Sequence, residues 1–179
     1  MADIHATPKH QFVEAALDAL STSDLLLEGT GQPSSKASPS EMHAYAIDSM
    51  YRASSTLLHC LKTNPATRAD FQKILSNTAR YYLPQVAAAS SGDIESREAN
   101  GCKISFKPSR ANDAHMYVII ESLGDITFNP TLIFVCGTND HLERAELPPA
   151  QNGRVQLLLE RDSPMAHGLL DIKTEVYLK

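Results

Sequence analysis

The spacing of apolar residues changes once along this chain, and that change limits the architectures open to it. Between Pro39 and Tyr82 the apolar side chains recur every three or four residues, the period of a helix with one buried face. From Cys102 onward they fall in short runs with a period nearer two, rich in β-branched and aromatic residues and separated by Gly, Pro, Asn and Asp. Helices come first and strands second, and no helix is placed to make parallel crossovers. The chain is therefore expected to be α+β, with two to three N-terminal helices followed by an antiparallel β-sandwich or half-barrel of about six strands.

The helix starts share one signature, a polar cap followed at once by proline: Thr7-Pro8, Ser38-Pro39 and Asn64-Pro65. The cap side chain accepts a hydrogen bond from an orphan N–H of the first turn, and Pro at the first helical position has no N–H to leave unpaired. Ser38 has Glu41 three residues on, which predicts a reciprocal capping box. Behind it, Ala46, Met50, Ala53, Leu57 and Leu61 predict one helix from Pro39 to Leu61. After Asn64, the series Phe71, Ile74, Leu75, Thr78, Tyr81 and Tyr82 predicts a helix that Pro84 ends. A shorter first helix runs from Pro8 through Leu20, and continues or restarts across Asp24–Leu27 before Gly29 stops it.

Strands are expected near Lys103–Lys107, His115–Ser122, Ile126–Cys136 with a break at Pro130, Leu142–Leu147, Val155–Glu160 and Ile172–Leu178. The connections Leu123–Asp125, Gly137–Asp140 and Pro148–Gly153 have hairpin length and contain Gly. Ser163-Pro164 repeats the cap-then-Pro signature and predicts a short helical turn over Met165–Leu170. Two polar stretches, residues 29–37 and Ser90–Asp93, resemble linkers. The expected organisation is a helical segment, 1–92, with a mobile linker near 29–37, and a β module, 93–179.

Several function classes are disfavoured. The net charge of −5 and singly scattered Lys and Arg do not suit a phosphate backbone, so nucleic acid is not an expected partner. No apolar run approaches the 20 or so residues that span a membrane. The start, Met1-Ala2-Asp3-Ile4-His5, has no basic leader or apolar core, and the three cysteines, Cys60, Cys102 and Cys136, are too few for a disulfide framework; a cytoplasmic location is expected. No C-x-x-C or H-x-x-x-H pair marks a zinc site, and Gly29-Thr30-Gly31 lacks the Lys-Ser/Thr of a phosphate loop. No metal or cofactor is expected.

Ser163 near His167, or Cys136 with Asp140 and His141, supplies the residue types of nucleophilic catalysis without a strained-turn motif to frame them, so no catalytic residue is assigned. Glu143 and Glu146 have opposite parity on their strand and cannot share a substrate. The most distinctive surface is aromatic. Tyr81 and Tyr82 cannot both face inward from a helix, and with Tyr45 and Tyr51 on the neighbouring helix they form the candidate partner-binding group. The alternative is that they are core and boundary aromatics.

The expected function is therefore a non-catalytic interaction module, an adaptor or regulatory accessory subunit, that binds another protein or itself through the helical half. A small hydrolase or transferase would instead need His141 or His167 to meet a carboxylate and a hydroxyl or thiol in a pocket. A small-ligand-binding β module would need a cavity lined by residues such as Ile119, Phe134 and Leu158.

Overall fold

Asn64 folds as its sequence context dictates. Its side-chain oxygen accepts from the N–H groups of Ala66 at 3.0 Å and Thr67 at 3.3 Å, and Pro65 opens the helix Pro65–Thr78. Ser163 does the same for Pro164–Leu170 by accepting from Ala166. The structure, a computed structural model, describes residues 37–86, 94–124, 127–137 and 141–179. The helix expected from Pro8, the stretch 29–36 and residues 90–93 lie outside the described residues. The described elements, all within one compact unit, are α1 (Pro39–Ile47), α2 (Ser55–Thr63), α3 (Pro65–Thr78), β1 (Tyr81–Leu83), β2 (Ser96–Ala99), β3 (Cys102–Pro108), β4 (His115–Ser122), β5 (Leu132–Cys136), β6 (Leu142–Glu146), β7 (Arg154–Glu160), α4 (Pro164–Leu170) and β8 (Glu175–Leu178).

Mixed α+β organisation and antiparallel pairing hold. The strands form two four-stranded antiparallel sheets, a first with order β1-β8-β5-β6 and a second with order β2-β3-β4-β7. Residues of both sheets, including Ile104, Val118, Ile120, Ile133, Val135 and Val176, enclose a shared apolar core that Met165, Ala166 and Leu169 of α4 join. The other face of the first sheet meets the helices, where Leu132, Phe134, Cys136 and Tyr177 pack with Met42, Ala46, Leu57, Leu61, Phe71 and Leu75. Alternate residues of β5 thus feed two cores, as the alternation of a strand requires. The pairing of β1 with β8 and the helix-side core both cross the 92/93 position.

The structure corrects several expectations. The helix expected over Pro39–Leu61 is two helices, and Met50 in the turn between them is 79% exposed. Long-range bonds fix that turn: Arg144 Nη2 donates to the carbonyls of Asp48 at 2.9 Å and Ser49 at 3.0 Å, and Glu41 Oε1 accepts from Ser54 N–H at 2.8 Å. The Ser38–Glu41 capping box does not form, since the Ser38 side chain makes no cap hydrogen bond and Glu41 is engaged at Ser54. Ser54 itself caps α2 by accepting from Leu57 N–H at 3.1 Å.

Tyr81 and Tyr82 belong to strand β1, because pairing with β8 overrides the helical spacing that runs up to them. β2, unforeseen, is joined to β3 by Asn100-Gly101, both at positive φ (51° and 76°), the backbone of a tight hairpin turn. Of the strand expected over Ile126–Cys136, residues 127–131 are not in a strand and β5 starts at Leu132, while Ile126 lies outside the described residues. Of the three expected hairpin connections, the one after Gly137 joins paired neighbours, β5 and β6, whereas those after Ser122 and Glu146 pass between sheets.

The last strand starts at Glu175 and not near Ile172, because residues 169–174 wrap a buried cation. Arg97, 2% exposed, donates Nε to Leu169 O and Nη1 to Thr174 O, each at 2.8 Å, and Nη2 to Thr174 Oγ1 and to the Asp171 carbonyl. Its pKa is lowered by burial, an effect that the charge of Asp171 opposes.

Two sets of substitutions test this local account in urea unfolding. Ser54→Ala is expected to cost about 0.5–2 kcal/mol and Ser38→Ala less than about 0.5 kcal/mol; the reverse order would contradict the cap assignment. Arg97→Met leaves several buried acceptors unpaired and is expected to cost about 3 kcal/mol or more. A loss under about 1 kcal/mol would show that Arg97 does not hold the 169–174 turn.

Candidate functional site

Just beyond the end of β5, α3 and the start of β8 leave a cleft of about 340 Å³ lined by Pro65, Arg68, Gln72, Gln85, Gly137 and Glu175, with Cys136 and Ala69. Glu175 is its chemical centre. Its Oε1 accepts from the Tyr82 hydroxyl at 2.9 Å and its Oε2 from the Tyr177 hydroxyl at 2.7 Å, while the two rings lie 5.1 Å apart. Burial, and then the bond to Glu175, push the Tyr82 phenol up to about 12. Tyr177 is raised chiefly by burial. Burial, helped by the charge of Glu175, pushes the Cys136 thiol up to about 12. Two phenols and a thiol held neutral around an acceptor carboxylate fix side chains in place; none of the three is poised as a base or nucleophile near neutral pH. Arg68 is spent in part on the end of α2, donating to Leu61 O at 3.1 Å and Lys62 O at 2.7 Å.

The other residue types considered for catalysis are dispersed. Ser163 serves as the cap of α4, and its hydroxyl donates to Glu160 O at 2.7 Å. His167 is exposed on α4. His141 turns its buried Nε2 toward Gly168 of α4, where a side chain would collide with it and with Val135, and that nitrogen has no hydrogen-bond partner. Asp140 lies outside the described residues. Ile119 and Leu158 belong to the second sheet and face away from its core, whereas Phe134 lies in the helix-side core of the first; these three do not line a common cavity. Among the described residues no cluster of three or more His, Cys, Asp or Glu is placed to hold a metal, and no helix is long and apolar enough to cross a membrane.

The four tyrosines are distributed over two layers. Tyr81 is buried in the inter-sheet core, edge-on to Phe128 with ring centroids 5.2 Å apart. Tyr82, its neighbour on a strand, points the opposite way and joins the helix-side core and Glu175. Tyr45 on α1 is half-buried, stacked on Phe71 at 5.7 Å and edge-on to Phe134 at 6.0 Å, with the Arg144 guanidinium 4.8 Å over its ring. Burial raises the Tyr45 phenol. Tyr51 is half-buried in the α1–α2 turn.

Around Tyr51 the structure exposes one residue of the predicted core stripe, Met50, and two apolar residues outside that stripe. Ile47 is 48% exposed, Met50 79% and Leu58 41%, all in the stretch from the end of α1 to the middle of α2. Sequence reasoning missed Arg144, which anchors this stretch from β6, because its partners are 95 and 96 residues away. Comparison with protein-family models, with curated proteins and with solved structures finds no match to this chain. Fold and surface together define a helix-covered, two-sheet α+β protein whose most exposed large apolar side chain among the described residues, Met50, lies on an anchored turn.

The buried neutral groups give a pH dependence of known sign. Cys102 and Cys136 rise to about 12 in the folded chain, against about 8.5 for a free thiol, and Tyr82 rises to about 12 from about 10. Above about pH 9 the folded state therefore retains protons the unfolded state has lost, and stability falls as pH rises toward 12. Lys179, lowered by burial to about 8, acts in the opposite sense between about 8 and 10.4, so a Lys179→Met variant should fall more steeply. Urea midpoints measured from pH 8 to 11 check both slopes, and a flat or rising wild-type profile would refute the assignment.

Proposed function

We propose that this chain is a non-catalytic protein–protein interaction module, an adaptor or regulatory subunit, that binds another protein through its helical layer. The observation that supports this reading is the exposure of Ile47, Met50 and Leu58 around half-buried Tyr51. A single exposed apolar residue is ordinary, but here three fall within twelve residues on backbone that is already organised. Arg144 holds the carbonyls of Asp48 and Ser49, Asp48 Oδ1 accepts from Met50 N–H at 2.9 Å, and Glu41 holds Ser54. A turn ordered before binding loses little entropy on binding, and the unbranched, polarisable Met50 adapts to an opposing surface. In this reading the inward tyrosines Tyr81 and Tyr82 are scaffold, Tyr45 supports the turn through Arg144, and Tyr51 is the tyrosine at the contact.

The test is a photoreactive amino acid placed at Met50, with Ser96 on β2 as the control position, cross-linked in the cells that make the protein. A discrete adduct at Met50 that is absent at Ser96, and that Ile47→Asp abolishes, is expected. Ile47→Asp should leave thermal stability within about 0.5 kcal/mol, since the side chain is exposed. No adduct at Met50, or the same products at both positions, removes the reading.

A further inference from the structure

We propose that the Met50 thioether is an oxidation site at which a hydroperoxide switches off the helical contact, an inference that rests on reading the α1–α2 turn as a protein-binding surface. The fold withdraws its other sulfur atoms from solvent. Among the described residues, Met42, Met116, Met165, Cys60, Cys102 and Cys136 are all buried, none more than 8% exposed, whereas Met50 is 79% exposed. Met1 lies outside the described residues. Burial, helped at Cys136 by the charge of Glu175, also pushes the Cys102 and Cys136 thiols up to about 12. They stay neutral near pH 7, and a neutral thiol is a poor nucleophile toward peroxide. A thioether has no proton to lose, so access decides its reactivity, and only Met50 has access.

The step is a transfer of one oxygen atom. A sulfur lone pair attacks the peroxide, the O–O bond breaks as the S–O bond forms, and the departing oxygen leaves with a proton as water or an alcohol. Sulfur gives up an electron pair and the peroxide takes it. The product is methionine sulfoxide, which dithiol-dependent reductases return to the thioether, with one enzyme for each sulfoxide epimer.

The folded chain tolerates that oxygen. The turn is held through backbone groups, with Met50 N–H donating to Asp48 Oδ1 at 2.9 Å and Arg144 Nη2 holding the carbonyls of Asp48 and Ser49 at 2.9 and 3.0 Å. None of these bonds involves the thioether, and a side chain so exposed has little packing to lose. The contact is the sensitive part. A sulfoxide sets a strong hydrogen-bond acceptor where Ile47, Met50 and Leu58 offer apolar surface. Covering that acceptor without a donor should weaken binding about tenfold or more. Linkage works in both directions, so a partner that covers Met50 also protects it from the oxidant.

The purified full chain is treated with hydrogen peroxide, and oxygen uptake at each methionine is followed by peptide mass spectrometry, with circular dichroism and the urea midpoint taken before and after. Met50 is expected to react about tenfold or more faster than Met42, Met116 and Met165, with the fold and midpoint unchanged. The chain carrying a photoreactive amino acid at Leu58 is then oxidised at Met50, freed of peroxide and cross-linked in an extract of the cells that make it. Unoxidised protein, and oxidised protein repaired by the reductases for both epimers, are run beside it. A discrete adduct is expected from the unoxidised and repaired chains and about tenfold less from the oxidised one. Met50 reacting no faster than the buried methionines overturns the site. An adduct that oxidation leaves unchanged, or whose loss repair does not reverse, overturns the switch while the contact reading stands. No adduct from the unoxidised chain removes the contact reading and the switch with it.

Discussion

The whole molecule depends on burying the first sheet on both faces. β5 is buried at every position from Leu132 to Cys136, with Ile133 and Val135 in the inter-sheet core and Leu132, Phe134 and Cys136 against the helices. Such a strand cannot be solvated on either side, so the helical layer and the second sheet are both conditions for it. The helices are no less dependent. The fully buried side chains of α1 are Met42 and Ala46, those of α2 Leu57, Cys60 and Leu61, and those of α3 Phe71 and Leu75. Stripes that short do not make a helical core alone, and their inward faces are consumed by the sheet. What the helices have left for a partner is their outer surface and their turns, which is where Ile47, Met50 and Leu58 are found.

Two arginines convert irregular backbone into fixed geometry. Arg97 reaches from β2 to gather the carbonyls of Leu169, Asp171 and Thr174, and so sets where α4 ends and β8 begins. Arg144 reaches from β6 over the rings of Tyr45 and Phe134 to the carbonyls of Asp48 and Ser49, and so sets where α1 ends. A planar guanidinium offers five donors in a fixed fork, whereas a lysine in either place would hold fewer acceptors at once. Burying each cation has a cost, visible in the lowered pKa of Arg97. That cost is offset by charge-assisted bonds to carbonyls that turns would otherwise leave unpaired.

Local chemistry was legible where its cause was local. The caps at Asn64 and Ser163 act on the residues that follow them, and the alternation of His115–Ser122 gave that strand with its observed ends. The order of helices before strands followed from periodicity alone. The break at Asp48 did not, because Met50 fits the helical spacing and the bonds that interrupt it come from Arg144 and from Glu41 to Ser54. Tyr81 and Tyr82 continued a helical series, and only β8, nearly a hundred residues on, makes them a strand. The Asn100-Gly101 turn was a local signal for β2 and β3, but the polar residues before it conceal β2, whose one buried side chain is Arg97. The Tyr82–Glu175–Tyr177 cluster joins residues too distant in sequence for any motif to connect them.

The four terminal strands of the two sheets are protected in unequal ways. β1 has three residues and β2 four, too short to template another chain over any length. β6 has five, of which Glu143, Arg144 and Glu146 are charged. Short strands and charges are the usual means of blunting an edge against unwanted pairing. β7 has neither protection along its middle: it spans seven residues, carries Leu157, Leu158 and Leu159 in succession, and confines its charges to Arg154 and Glu160 at the ends. Its ends are covered from within the chain instead, where Gln151 pairs with Arg154, Ser163 bonds the Glu160 carbonyl and Arg154 forms an ion pair with Glu121, so the edge backbone left open is that of Gln156 and Leu158.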